Sequence, residues 1–257
     1  MPTLSVPGAN LDVELSDEGG HPVVQLHGLT SSRARDRRLR LDLGRGLSGT
    51  RLLRYDARGH GRSTARPVAD NFRWTALAGD LLCLLERWFP DEPVHGVGTS
   101  MGAGTLLHAA VRDPGRFDGL TLLLPPTAWQ TRRAQGSHYL AAADLIESGG
   151  MEAFLAADRD APRPPAAVPD DHTVPDIAAD LLPAAFRGAA ASDLPDPGEL
   201  ASIRVPVTLL GWVDDPSHPL STARRLAEVL PHAALHVART PQDVATWPAL
   251  LRESVPG

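Results

Sequence analysis

The run Val94-His95-Gly96-Val97-Gly98-Thr99-Ser100-Met101-Gly102-Ala103-Gly104 places a serine two residues from a glycine on each side. A Gly-x-Ser-x-Gly turn between a strand and a helix lifts the serine hydroxyl to the end of a sheet. The small flanking residues let strand and helix approach without a clash. Ser100 is therefore the candidate nucleophile. Other chemistries lack their residues. There is no His-Glu-x-x-His and no paired Cys-x-x-Cys to hold a metal, and a Gly-x-x-x-x-Gly-Lys phosphate loop is impossible in a chain without lysine. Gly102-Ala103-Gly104 lacks the third glycine of a dinucleotide-binding turn.

The elements around Ser100 follow a regular alternation. Leu11 to Leu15 alternates apolar and acidic residues, as a half-buried strand does. Pro22 to Leu26 and Arg51 to Tyr55 are compact apolar runs, and Gly119 to Leu124 and Val205 to Leu210 read as strands buried on both faces. Asp70 to Phe89 has helical spacing through Leu77, Leu81, Leu84, Leu85 and Trp88 and stops at Pro90. Helices over Leu220 to Leu230 and Pro241 to Leu251, with the strand Ala234 to Ala238 between them, close the chain. The alternation predicts an α/β fold with a mostly parallel central sheet flanked by helices. From Pro125 to about Pro197 the rhythm breaks. The run 160–170 is too proline-rich for a helix interior or a central strand. Yet Trp129, Tyr139, Phe154 and Phe186, with amphipathic pieces at His138 to Ser148 and Met151 to Asp158, point to a packed insertion rather than a linker.

In this order the pieces resemble the α/β-hydrolase-fold superfamily of capped serine hydrolases over nearly the whole chain. His27-Gly28-Leu29 follows a strand as the family's oxyanion loop does. Tyr55-Asp56-Ala57-Arg58-Gly59-His60-Gly61-Arg62-Ser63 is similar to its Asp-x-x-Gly-x-Gly-x-Ser turn, and Gly98-Thr99-Ser100-Met101-Gly102 to its nucleophile elbow. The resemblance implies a hydrolase core over 1–124 and 198–257, with a helical cap over 125–197. It implies oxyanion donors at the backbone N–H groups of Met101 and Leu29. His27 and His60 are expected to brace loops. The acid falls in Gly211-Trp212-Val213-Asp214-Asp215-Pro216-Ser217-His218-Pro219, at Asp215, which precedes a proline, with Asp214 as the alternative.

The base departs from the family pattern. The family's histidine follows the last strand, where this chain reads Arg239-Thr240-Pro241-Gln242-Asp243, without one; His232 precedes that strand and His236 lies inside it. Three explanations stand. Another histidine supplies the base: His218 in the acid loop, or His138 or His172 in the insertion. Alternatively, the substrate or a bound water moves the proton. Finally, the protein is non-hydrolytic, binding a small molecule or performing lyase- or cyclase-type chemistry. Only two residues separate His218 from Asp215, a spacing that argues against the pair bracketing Ser100 as acid and base.

Composition bounds the partners. With 257 residues, 42% hydrophobic and 22% charged, the chain has the make-up of a globular protein with a sizeable core. A net charge of −6 argues against nucleic acid and anionic membranes as partners. The basic cluster Arg33 to Arg40 reads as a solvated helix face. Cys83, the single cysteine, sits in an apolar helical run and reads as a buried structural thiol. The arginine-only basic residues and abundant alanine suggest a high-GC, bacterial coding sequence. No leader-like or membrane-length apolar run is present, so a cytoplasmic location is expected. The resemblance implies a hydrolase-type enzyme of small carbonyl substrates (ester, lactone or related acyl compound) that needs no cofactor.

Overall fold

The computed structural model describes residues 2–159, 163–167 and 173–256. Its strands are β1 (Thr3–Val6), β2 (Ala9–Asp17), β3 (His21–Leu26), β4 (Thr50–Tyr55), β5 (Val94–Thr99), β6 (Phe117–Leu123), β7 (Val207–Trp212) and β8 (Ala233–Ala238). They form one sheet in the order β1-β2-β4-β3-β5-β6-β7-β8. β1 and β2 run antiparallel, and β4 through β8 are parallel. The central strands are continuous apolar runs because helices cover both of their faces. Register brings their C-terminal ends level: Leu26 pairs Gly98, Gly98 pairs Leu122, and Leu122 pairs Leu209. The loops that leave these strands therefore meet along one edge of the sheet.

The helices are α1 (Arg33–Arg38), α2 (Trp74–Trp88), α3 (Met101–Arg112), α4 (Arg132–Asp158), α5 (Leu182–Ala190), α6 (Pro197–Leu200), α7 (Leu220–Val229), α8 (Pro241–Val244) and α9 (Trp247–Ser254). α2 and α3 pack Leu81, Leu84, Leu106 and Leu107 into a core with Leu11, Val24 and Leu120 of the sheet, while Trp247 and Leu251 of α9 close a second core on Val23, Leu52 and Leu210. Between β6 and β7 the chain leaves the sheet to form α4, α5 and α6. α4 is interrupted at Gly150, whose φ of 76° and ψ of 177° separate the two amphipathic pieces read in the sequence. This insertion has its own apolar cluster, in which Phe186, Ile146, Ala143 and Ile177 pack with Phe72.

Several sequence expectations are corrected. The helix expected from Asp70 begins with a 3-10 turn, Ala69–Phe72, and becomes α-helical only at Trp74. The closing helix is two helices: Thr240 and Asp243 cap a single turn reciprocally, and Pro248 starts a new helix because it has no N–H with which to continue the old one. Strand β1 was not expected. Cys83 is exposed. Leu81, Leu84 and Leu85 define the buried side of α2, and two residues' rotation from Leu81, about 200°, turns position 83 away from it. Arg33 to Arg40 is only partly a solvated face. Arg33 is buried against Asp12 and Asp56, and Asp36 is buried beside Ser31. Part of the 160–170 run, and His172, lie outside the described residues.

Candidate active site

Ser100 sits between β5 and α3 with φ 51° and ψ −106°, a conformation that a residue with a side chain adopts only when its surroundings force it. Three features do so. Its N–H donates to Leu123 O at 2.9 Å, and its carbonyl accepts the first α3 bond, from Gly104 N at 3.0 Å. A Cβ on Gly98 would lie 2.6 Å from the Gly102 carbonyl, and one on Gly102 would lie 2.8 Å from Leu26. Only glycine at both positions lets helix, turn and neighbouring strand come this close. The turn leaves the Ser100 side chain half-buried, at the edge where the strand ends converge.

The loop after β7 faces it. Asp215 Oδ1 accepts from Ser217 N at 2.9 Å and His218 N at 3.2 Å, a side-chain turn that folds the loop back on itself after Pro216. That fold delivers the His218 ring to the same carboxylate. Its Nδ1 lies 2.7 Å from Asp215 Oδ2, and its Nε2 lies 2.8 Å from Ser100 Oγ. Trp212 Nε1 donates to Oδ2 at 2.6 Å, completing four N–H donors around one carboxylate. Burial alone would raise the Asp215 carboxyl. The hydrogen bond and charge of His218 and the donors of Trp212 and Ser217 outweigh it and hold the group at about 2. An ionised Asp215 can only accept, so Nδ1 carries the imidazole proton and Nε2 is left bare to accept from Ser100 Oγ–H. The loop is tied to the chain leaving β6, where Thr127 N donates to Ser217 O at 3.1 Å and Arg132 Nη1 to Thr127 Oγ1 at 3.1 Å.

The close spacing of Asp215 and His218 thus does not keep them from reaching Ser100 in series. The expectation to the contrary treats the loop as extended, and the Asp215 turn bends it. Asp214 is exposed, with φ 58°. Residues 239–243, where the family carries its histidine, are occupied by the cap of α8, in which Asp243 Oδ2 accepts from Arg239 N and Thr240 N. His236 lies inside β8 opposite Leu210, and His232 is exposed ahead of that strand.

On the other side of Ser100 runs the loop after β3. Ala57 N donates to His27 Nε2 at 2.9 Å, so His27 Nδ1–H donates to Gly28 O at 2.8 Å. Likewise Thr30 N donates to His60 Nε2 at 3.3 Å while His60 Nδ1–H donates to Arg58 O at 2.8 Å. Burial lowers both histidines, His60 to about 3, so both stay neutral as these bonds require. Thr30 has φ 62°, and its carbonyl accepts from Asp176 N at 2.8 Å and Arg35 Nη1 at 2.9 Å. Ser32 Oγ donates to Asp176 Oδ2 at 2.5 Å. The insertion is stitched to this loop through Asp176, a link with no motif in the sequence to announce it. Leu29 lies between these anchors. Met101, as the first residue of α3, has an N–H without an intrahelical acceptor.

Leu29, Ser100 and His218 open on a cavity of about 340 Å³ whose far wall comes from the insertion and includes His138, Tyr139, Phe154 and Phe186. His138 is at that wall and exposed. Among the described residues no cluster of His, Cys, Asp and Glu is disposed to hold a metal ion, and no helix is long and apolar enough to cross a membrane.

A family model described as alpha/beta hydrolase fold matches residues 21–142. The chain is 28% identical over 220 residues to a putative carbamate hydrolase RutD of Caulobacter sp. (strain K31), covering 78% of this chain and 74% of that protein. Among solved structures it is similar to the enol-lactonase of Burkholderia xenovorans LB400, with a TM-score of 0.76 and 21% identity over 98% of this chain and 97% of the other. A thermophilic esterase from Thermogutta terrifontis gives a TM-score of 0.75 and 21% identity over 98% and 95% of the two chains. The sheet order, the elbow, the family model over residues 21–142 and these solved structures together show that the chain has the α/β-hydrolase fold.

Proposed function

We propose that the protein is a serine hydrolase of small carbonyl substrates, an ester, a lactone or a related acyl compound, working beneath a helical cap formed by the insertion. The observation that carries this reading is the continuous chain from Asp215 Oδ2 through His218 to Ser100 Oγ, with contacts of 2.7 and 2.8 Å. As Ser100 Oγ bonds to the substrate carbonyl carbon, its proton passes to His218 Nε2. Asp215 stays ionised and stabilises the imidazolium through Nδ1–H. The carbonyl oxygen becomes negative and is met by the N–H groups of Met101 and Leu29. Collapse of the tetrahedral intermediate breaks the bond to the leaving oxygen, which takes the proton from Nε2. Water then repeats the sequence on the acyl-Ser100 ester and releases the acid. The relatives named as carbamate hydrolase, enol-lactonase and esterase support hydrolysis as the reaction type.

Turnover of a short-chain activated ester tests the reading. Ser100→Ala is expected to lower kcat by several orders of magnitude, leaving only what oxyanion donors and binding supply. Turnover by Ser100→Ala within tenfold of the parent, or none by the parent across esters and lactones, would overturn it.

A further inference from the structure

The cap wall concentrates side chains that hydrolysis itself does not use. The whole chain has 5 phenylalanines and 2 tyrosines, and three of these seven, Tyr139, Phe154 and Phe186, line the cavity that Ser100 and His218 open on. They form a connected set. Tyr139 and Phe186 stack with ring centres 5.6 Å apart and planes 21° apart, and Phe154 tilts against Phe186 at 5.6 Å and 54°. Phe186 is almost wholly buried, and Tyr139 and Phe154 are half-buried, leaving ring surface open to the cavity. The set is also held from behind. The buried Arg132 guanidinium lies 4.3 Å from the Trp74 ring centre and 5.4 Å from that of Tyr139, and donates to Ser192 O at 2.7 Å. The aromatic wall is therefore pre-formed and anchored to the element that also ties down the acid–base loop.

We propose that the site, read as the hydrolase above, selects substrates that carry a flat aromatic ring on one side of the scissile bond, seated against Tyr139, Phe154 and Phe186. Two rings at 54° to each other offer an entering ring both a face and an edge, the offset and edge-to-face arrangements that aromatic quadrupoles favour over contact with a saturated ring of equal size. The volume of about 340 Å³ stands at the low end of small-molecule pockets, roughly 300–1,000 Å³, and admits one such ring with a short ester or lactone.

Size-matched pairs separate ring chemistry from bulk. The measured quantity is kcat/KM for methyl phenylacetate against methyl cyclohexylacetate, and for benzyl acetate against cyclohexylmethyl acetate, followed by proton release. The aromatic member of at least one pair is expected to be favoured by roughly three- to tenfold, the range that aromatic pairing supplies beyond buried area. Phe154→Leu and Phe186→Leu, each checked by thermal melting to be folded, are expected to bring that ratio close to one. Ratios at or below one in both pairs, in parent protein that a fluorophosphonate labels, would overturn the aromatic site and leave the hydrolase reading standing. A second readout does not depend on turnover: binding of phenylacetamide against cyclohexylacetamide to Ser100→Ala by ligand-observed NMR. Preference for the aromatic amide supports the site even if no ester is hydrolysed. Equal binding of the two, or binding of neither, overturns it.

Discussion

Replacing Asp215 by asparagine changes one atom, and the structure says which bonds it reverses. The carboxylate accepts four N–H groups: Ser217 N and His218 N on Oδ1, Trp212 Nε1 and His218 Nδ1 on Oδ2. An amide has one oxygen. The backbone pair on Oδ1 is fixed by the turn, so the oxygen stays there and the NH2 faces Trp212 and His218. His218 then keeps a partner only as its other tautomer, with Nδ1 bare and the proton on Nε2, pointing at Ser100 Oγ. On the proposed mechanism the base is then lost while the fold is retained. In the general Ser-His-Asp scheme this change lowers kcat by about 10⁴, or about 5.4 kcal/mol of barrier. The same substitution removes an acid-side stability dependence. A carboxyl held at about 2 when folded and near 3.8 when unfolded adds about 2 kcal/mol of stability, present above pH 4 and lost as pH falls through 2. The assay is kcat on an activated ester beside circular dichroism, with Asp214→Asn, an exposed neighbour, expected within about twofold of the parent. Asp215→Asn within tenfold of the parent, or a larger loss in Asp214→Asn, would show that Asp215 does not set the His218 tautomer for catalysis.

Asp176→Ala removes the charge-assisted bond from Ser32 Oγ that joins the insertion to the loop after β3, a contact of about 1.5–3 kcal/mol. Part of that loosening should appear as a fall in kcat of about tenfold, beside a fall of several degrees in melting temperature, and an unchanged kcat would show that the loop needs no such tie. Asp36 is buried, and burial pushes its carboxyl up to about 7. Its folded-state proton is held more tightly than its unfolded one. It therefore stabilises fully below pH 4 and loses about 4 kcal/mol as pH rises from 4 to 7. Asp36→Asn, which keeps a partner for Ser31 Oγ, is expected to flatten denaturant-measured stability over that window and to exceed the parent at pH 8; an unchanged slope would contradict the assignment.

The fold was legible where one physical signal dominated. Short, mostly apolar runs such as Gly119 to Leu124 read as strands covered on both faces, and Gly98 and Gly102 mark a backbone approach that no other residue permits. What was not legible depends on contacts distant in sequence or on the bend of a short loop. Arg33 becomes a core residue because Asp12 and Asp56, on two other elements, converge on it. Asp176 has no local signature, since its partners Thr30, Ser32 and Gly61 all lie more than a hundred residues before it. The relation of His218 to Ser100 was hidden for a subtler reason. Counting residues between Asp215 and His218 measures contour length, whereas the Asp215 side chain bonded to the two N–H groups ahead of it sets the direction of the ring. A histidine three residues after Asp215, in a loop with Asp-Pro at its head, is a signal that could have been read.

In the proposed mechanism the base comes from the loop after β7 rather than from the end of β8. Its most direct test is the site and rate of fluorophosphonate labelling, read by mass spectrometry of the digested protein, in the parent and in His218→Ala and His236→Ala. The claim predicts a single adduct on the peptide containing Ser100, slowed at least a hundredfold in His218→Ala and unchanged in His236→Ala. Labelling of Ser100 at the parental rate in His218→Ala, or an adduct on another residue, would contradict it.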